Sequence, residues 1–111
     1  MDETQAYEER AHPELRALID ALDALGLDDL EAELANDIVT LEFSDGTQYV
    51  INSHRAARQI WMAAERSAWH FDWVTEKNAW IDDKRGQELW QALSTAISEK
   101  LGRSVSLKRR P

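Results

Sequence analysis

The spacing of apolar residues changes period twice along this chain, and those two changes constrain its fold more than any other feature. From Tyr7 to Leu25 the residues Tyr7, Ala11, Leu15, Leu18, Leu22 and Leu25 recur at steps of three and four, which lines one face of an α-helix. Pro13 belongs in its first turns or marks a later start, and Gly26 supplies a stop. Between Leu30 and Ile81 the alternation is mostly of period two, as in half-buried strands. Helical spacing then returns through Leu89, Leu93, Ile97 and Leu101, with Trp90 and Ala96 alongside, and ends at Gly102. Helix, run of strands, helix predicts an α+β two-layer sandwich: an antiparallel sheet of five to six strands with both terminal helices on one face.

The strands can be placed individually. In the acid-rich stretch Leu27 to Glu33, Leu30, Ala32 and Leu34 alternate with Glu31 and Glu33, which predicts an edge strand whose acids face water. Ile38 to Ser44 forms a second strand with Val39, Leu41 and Phe43 inward. Asp45-Gly46 turns it into a return strand, Thr47 to Asn52. A polar link, Ser53 to Arg58, leads to candidates at Arg58 to Ala64 and Ala68 to Val74. A short strand around Ala79-Trp80-Ile81 and a turn at Asp82 to Gly86 complete the series. The chain is expected to form one domain over 1–111, with its core at 7–107 and a solvated basic tail at 108–111.

With both helices on one face, the other face of the sheet is open to solvent. The period of two places Gln48, Val50, Asn52, Gln59, Trp61, His70 and Asp72 there, and Trp69, Phe71 and Trp73 in the core. An indole on an open sheet, ringed by amides and an imidazole, has the chemistry of a protein-contact hot spot. A register slip of one residue would bury Trp61 instead. Trp73, Trp80 and Trp90 read as core or core edge, His12 as exposed, and His54 lies in the link with no obvious partner.

Charge narrows the function. Fourteen of the twenty-one carboxylates fall in the first 45 residues, against Arg10 and Arg16 alone, while the remaining residues carry a net positive charge. Such a field attracts a cationic partner, metal or protein. The absence of cysteine excludes thiolate nucleophiles, disulfides and Cys-type metal or cluster sites, so any metal must meet oxygen or imidazole. A pI near 4.8 argues against nucleic acid. No apolar run approaches the ~20 residues of a membrane span, and the acidic start is unlike a secretory signal, so no membrane association and a cytoplasmic location are expected. Asp20 and Asp23 share a helix face, and Glu31 and Glu33 share a strand face at ~7 Å spacing. These are hard oxygen donors of low selectivity. No catalytic motif appears, and no enzyme activity is expected.

Ile51-Asn52, Gln59-Ile60-Trp61-Met62-Ala63, Trp69-His70-Phe71-Asp72-Trp73, Trp80-Ile81 and Gly86 to Trp90 occur in an order that resembles the frataxin family, in its bacterial iron-donor branch. The resemblance covers roughly Tyr7 to Leu107. It implies a frataxin-like sandwich and a role in iron–sulfur cluster assembly. It also implies weak binding of Fe²⁺ or Fe³⁺, with other divalent cations accepted, and contact with a cysteine desulfurase and the cluster scaffold protein. Carried over by position, Asp20, Asp23, Asp28, Asp29, Glu31 and Glu33 look like the family's acidic, metal-binding ridge. Asn52, Gln59, Trp61 and His70 match its partner-contact surface. Two departures stand out: relatives often have a proline where this chain has Arg55-Ala56-Ala57, and a denser acid run at the end of the first helix. The expected state is a monomer, open to oligomerising with iron. The competing reading is an acidic protein-interaction module with no physiological metal. A third class, a ferroxidase, would accelerate Fe²⁺ oxidation.

Overall fold

The computed structural model describes residues 2–109; Met1 and the last two residues of the predicted basic tail, Arg110 and Pro111, lie outside that range. Helix α1 spans Glu3–Leu25 and so begins before the apolar stripe does. Its first turn is fixed by capping: the Asp2 carboxylate accepts the Gln5 N–H at 2.8 Å, satisfying a donor that a helix start leaves free. Pro13 is inside the helix on its exposed side, and Gly26 ends it in the left-handed conformation at φ 60°.

Six strands follow in the spatial order of the chain, each antiparallel to its neighbours. They are β1 (Leu30–Ala35), β2 (Ile38–Phe43), β3 (Gln48–His54), β4 (Gln59–Ala64), β5 (Ser67–Val74) and β6 (Ala79–Asp82), before helix α2 (Leu89–Leu101). Several strand ends differ by a residue from those the sequence predicts, and two boundaries bear on the candidate residues. The edge strand starts at Leu30, leaving Asp28 and Asp29 in the turn that precedes it. Ser53 and His54 belong to β3, so the polar link shrinks to a single 3₁₀ turn, Arg55–Ala57. The β1–β2 connection places Asn36 and Asp37 at φ 51° and 62°, positive values that suit a tight hairpin and that Asn and Asp tolerate.

Both helices lie on one sheet face, where Leu41, Ile51, Ile60, Met62, Phe71 and Trp80 are completely buried beneath Leu15, Leu18, Leu93 and Ile97. This register puts Trp61 on the opposite face, and the slip that would have buried it does not occur. Trp73 points inward but is only half-buried. The Arg10 guanidinium lies 5.4 Å from its ring centroid.

Lys108 and Arg109 of the basic tail are exposed, but Arg109 is also anchored to the body of the domain. The segment after α2 runs back along that helix: Ser98 Oγ accepts the Val105 N–H at 2.8 Å, Ser94 Oγ accepts the Leu107 N–H at 2.9 Å, and Leu107 is buried. Arg109 pairs with Glu14 and lies over Trp90, whose indole N–H also donates to Glu14 at 3.3 Å. Glu14 is only 5% exposed. A carboxylate so deeply placed needs a cation and hydrogen-bond donors, and Arg109 and Trp90 provide them.

Candidate functional site

Two surfaces carry the candidate residues, and they are built differently. On the open sheet face, ladder register sets Asn52, Trp61 and His70 side by side across β3, β4 and β5. Trp61 is stacked on His70 with centroids 4.5 Å apart, and on His54 with centroids 3.6 Å apart and planes 15° from parallel. Because β3 and β5 flank β4 on opposite sides, the indole is held between two imidazoles. Its N–H donates to Gln59 Oε1 at 2.8 Å. The Gln59 amide in turn donates to Asp72 at 3.0 Å and to Asp83 at 3.3 Å. All four predicted contact residues, Asn52, Gln59, Trp61 and His70, are therefore together, partly buried and oriented.

The backbone beneath this stack is also pinned. Asp82 is buried, 4% exposed, and its carboxylate accepts backbone N–H groups from His70 at 3.0 Å, Lys84 at 3.2 Å and Arg85 at 2.6 Å. Three such bonds offset the desolvation of the charge and tie the β6 turn to the middle of β5. His54 Nδ1 accepts the Ala57 N–H at 3.3 Å and so caps the 3₁₀ turn while its ring covers Trp61. Sequence reasoning missed His54. Its signal was available: two residues beyond Asn52, it falls on the same face once the strand is extended.

The acids are spread over a margin of the molecule. Asp20, Asp23, Asp28, Glu31 and Glu33 are exposed and Asp29 is half-buried. Asp23 and Glu31 line one shallow depression between the end of α1 and β1; Asp28, Asp29, Glu31 and Glu42 line another of about 250 Å³. Glu42, which the sequence reading left out of the ridge, pairs directly with Glu31 across the β1–β2 ladder. Like charges so placed repel. Asp29 is already occupied: Arg103 grips both of its oxygens at 3.0 Å. That hydrogen-bonded guanidinium holds the Asp29 carboxyl below its ordinary value. Among the described residues no three Asp, Glu or His groups gather so as to hold a metal ion. The donors suit a hard cation kept by one or two carboxylates and water rather than a closed metal centre.

The other histidine is engaged as well. His12 Nδ1 lies 2.9 Å from Asp37 and its Nε2 3.5 Å from Glu8. It links α1 to the β1–β2 turn, while its side chain stays 46% exposed as the sequence predicts. No described helix is long and apolar enough to cross a membrane.

A family model described as a frataxin-like domain matches residues 1–103. The iron–sulfur cluster assembly protein CyaY of Dechloromonas aromatica is 33% identical over 111 residues, covering 97% of this chain and 100% of its own. That of Tolumonas auensis is 40% identical over 79 residues, 71% of this chain and 74% of its own. Among solved structures, the frataxin of Psychromonas ingrahamii superposes with a TM-score of 0.85 over 96% of this chain and 99% of its own; at 24% identity this likeness speaks for the fold. Trimeric yeast frataxin complexed with ferrous iron gives a TM-score of 0.71 at 28% identity, covering 84% of this chain and 86% of its own. A helix, a six-stranded antiparallel meander and a second helix on one face, together with these matches, show that the chain belongs to the frataxin family.

Proposed function

We propose that this protein serves iron–sulfur cluster assembly in the cytoplasm as a non-enzymatic accessory. It docks through its open sheet face on the cysteine desulfurase and scaffold protein and carries weakly held Fe²⁺ or Fe³⁺ along its acidic margin. The observation that carries this reading is the Trp61 stack with its Gln59, Asp72 and Asp83 framework: an aromatic anchor held in place before any partner arrives, on the face that the helices leave uncovered. Rigid aromatic anchors of this kind lose little entropy on binding and dominate interface energies. The relatives' name as iron–sulfur cluster assembly proteins supports the same process, and the ferrous complex of yeast frataxin supports iron as the cargo.

The test is an anaerobic Fe²⁺ titration followed by backbone NMR, with and without the desulfurase. Iron alone should move resonances of Asp20, Asp23, Asp28, Glu31 and Glu33 in fast exchange, and Mn²⁺ should compete. The desulfurase should broaden Asn52, Gln59, Trp61 and His70, and more weakly at high salt, since a basic surface is drawn to the acids. A second reading has an observation of its own in its favour. The acids do not converge, and Asp29 is closed off by Arg103, as expected of an acidic interaction module with no physiological metal. Charge reversal along the margin that abolishes partner binding while cellular iron–sulfur enzymes remain normal would favour that module. Iron-dependent loss of those enzymes would favour the carrier.

A further inference from the structure

We propose that the His54–Trp61–His70 stack makes the open sheet face proton-responsive: proton uptake by the two imidazoles cancels the negative charge at the centre of the face and loosens its hold on a basic protein partner. The proposal rests on the docking reading above and adds its regulation.

Three features of the geometry carry it. First, histidine is the side chain whose charge ordinarily changes near neutral pH, and here two of them lie against the anchor residue itself, at 3.6 and 4.5 Å between centroids. An imidazolium facing an indole is held by cation–π attraction, so the surface changes its charge while the stack remains. Secondly, the acceptor role of His54 Nδ1 requires that nitrogen to be unprotonated. A proton placed there replaces an acceptor with a donor and removes the cap of the Arg55–Ala57 turn. Protonation is thereby wired to a backbone position three residues away.

Thirdly, the surrounding charges leave the two imidazoles to decide whether the face carries a net negative charge. Asp72 on β5 and Asp83 after β6 face the stack through Gln59. Arg55 and Arg58, on the turn that His54 caps, are paired with Glu8 and Glu3 of α1. Asp37, with its partner His12, lies past Ser53, whose N–H it accepts through its backbone carbonyl. The neighbouring outward positions on β2 and β3, Ile38, Thr40, Val50 and Asn52, carry no charge. Two carboxylates thus stand against two guanidinium groups that are already paired. Two added protons cancel the two unpaired carboxylate charges, so a face that attracts a basic partner no longer does.

Two measurements test this. In the free protein, NMR from pH 8 to pH 5.5 follows the His54 and His70 rings, the Trp61 indole N–H and the Ala57 amide. The Ala57 amide should shift with the His54 midpoint, and the Trp61 signal with both rings. Affinity for the cysteine desulfurase is then measured at pH 8 and pH 6 for the native protein, for His70→Gln, and for the His54→Gln/His70→Gln double variant. Titration of the partner contributes alike to all three, so it cancels when their pH 6 to pH 8 affinity ratios are compared with one another. The native protein should bind about tenfold more weakly at pH 6, the single variant less so, and the double variant with a change of about twofold or less. Equal pH dependence in all three overturns the proposal, as do Trp61 and Ala57 signals that ignore the ring titrations. His70→Gln leaves the Ala57 cap in place, so it serves should the double variant unfold. Failure of all three to bind at pH 8 overturns the docking reading, and the releasing role with it. Binding that is unaffected by pH overturns the proton response alone.

Discussion

The open sheet face and the acidic margin are both polar surfaces of one small domain, yet one is a framework and the other a field. On the face the anchor and its support are answered: Trp61 by two imidazoles and Gln59, Gln59 by two carboxylates, and the strand below by the buried Asp82. On the margin the carboxylates other than the Arg103-bound Asp29 face water, and Glu31 stands opposite Glu42 with no ion pair to either among the described residues. A framework fixes geometry before a partner arrives and so supports selective contact. A field acts over about a Debye length, needs no exact geometry, and attracts any cation or basic surface. On the proposed reading, selectivity therefore lives on the face and attraction on the margin.

The comparison breaks most visibly at Asp82. If the face is a framework, its stability depends on the buried carboxylate that takes three backbone N–H groups. Asp82→Ala leaves those donors without a partner and should lower the unfolding free energy by about 3 kcal/mol, measured by denaturant titration. The His70 amide should shift with it. A variant as stable as the native protein would show that the β6 turn holds itself without Asp82.

Trp61→Ala comes next and separates docking from folding. The ring is only partly buried and outside the core, so its removal should cost about 1 kcal/mol of stability, the order of its two stacking contacts. Loss of desulfurase affinity should be larger, about thirtyfold, as for an interface anchor. Calorimetry of the pair against thermal unfolding of the variant reads both. A stability loss exceeding the affinity loss would make Trp61 a packing residue and dissolve the contrast.

Much of this was legible in the sequence, and the parts that were not share a cause. Periodicity alone gave both helices, the antiparallel order and the outward direction of Trp61, because one buried face imposes a regular pattern on each element. His54 escaped because Ser53-His54-Arg55 reads as polar link, whereas the ladder with β4 extends the strand through Ser53 and His54. The Glu14–Arg109 pair joins residues 95 positions apart. Nothing local distinguishes Glu14, beside the apolar Leu15, from the exposed acids of the same helix. Likewise the acid count predicted a ridge but could not reveal that Asp29 is spoken for by Arg103. Contacts between distant segments leave no periodic trace.

That last pair offers the smallest effect and the sharpest probe of the margin. Arg103 keeps the Asp29 carboxyl ionised to lower pH than usual through its two hydrogen bonds. A depressed carboxylate pKa stabilises the fold above the unfolded value of 3.8, and that contribution is lost as pH falls through the folded value. Arg103→Ala should thus lower the melting temperature slightly near neutral pH, by a few degrees at most for so exposed a pair. The difference from the native protein should close both in acid and in high salt. At the same time Asp29 is freed to join Asp28, Glu31 and Glu42 around their depression, so Mn²⁺ or Fe²⁺ should bind about twofold to threefold more tightly at neutral pH. Tighter metal with slightly lower stability is the signature of a field whose charges can be redistributed. A melting difference that persists at pH 2 would instead make Arg103 a packing residue, and unchanged metal affinity would place the cation elsewhere on the margin, toward Asp20 and Asp23.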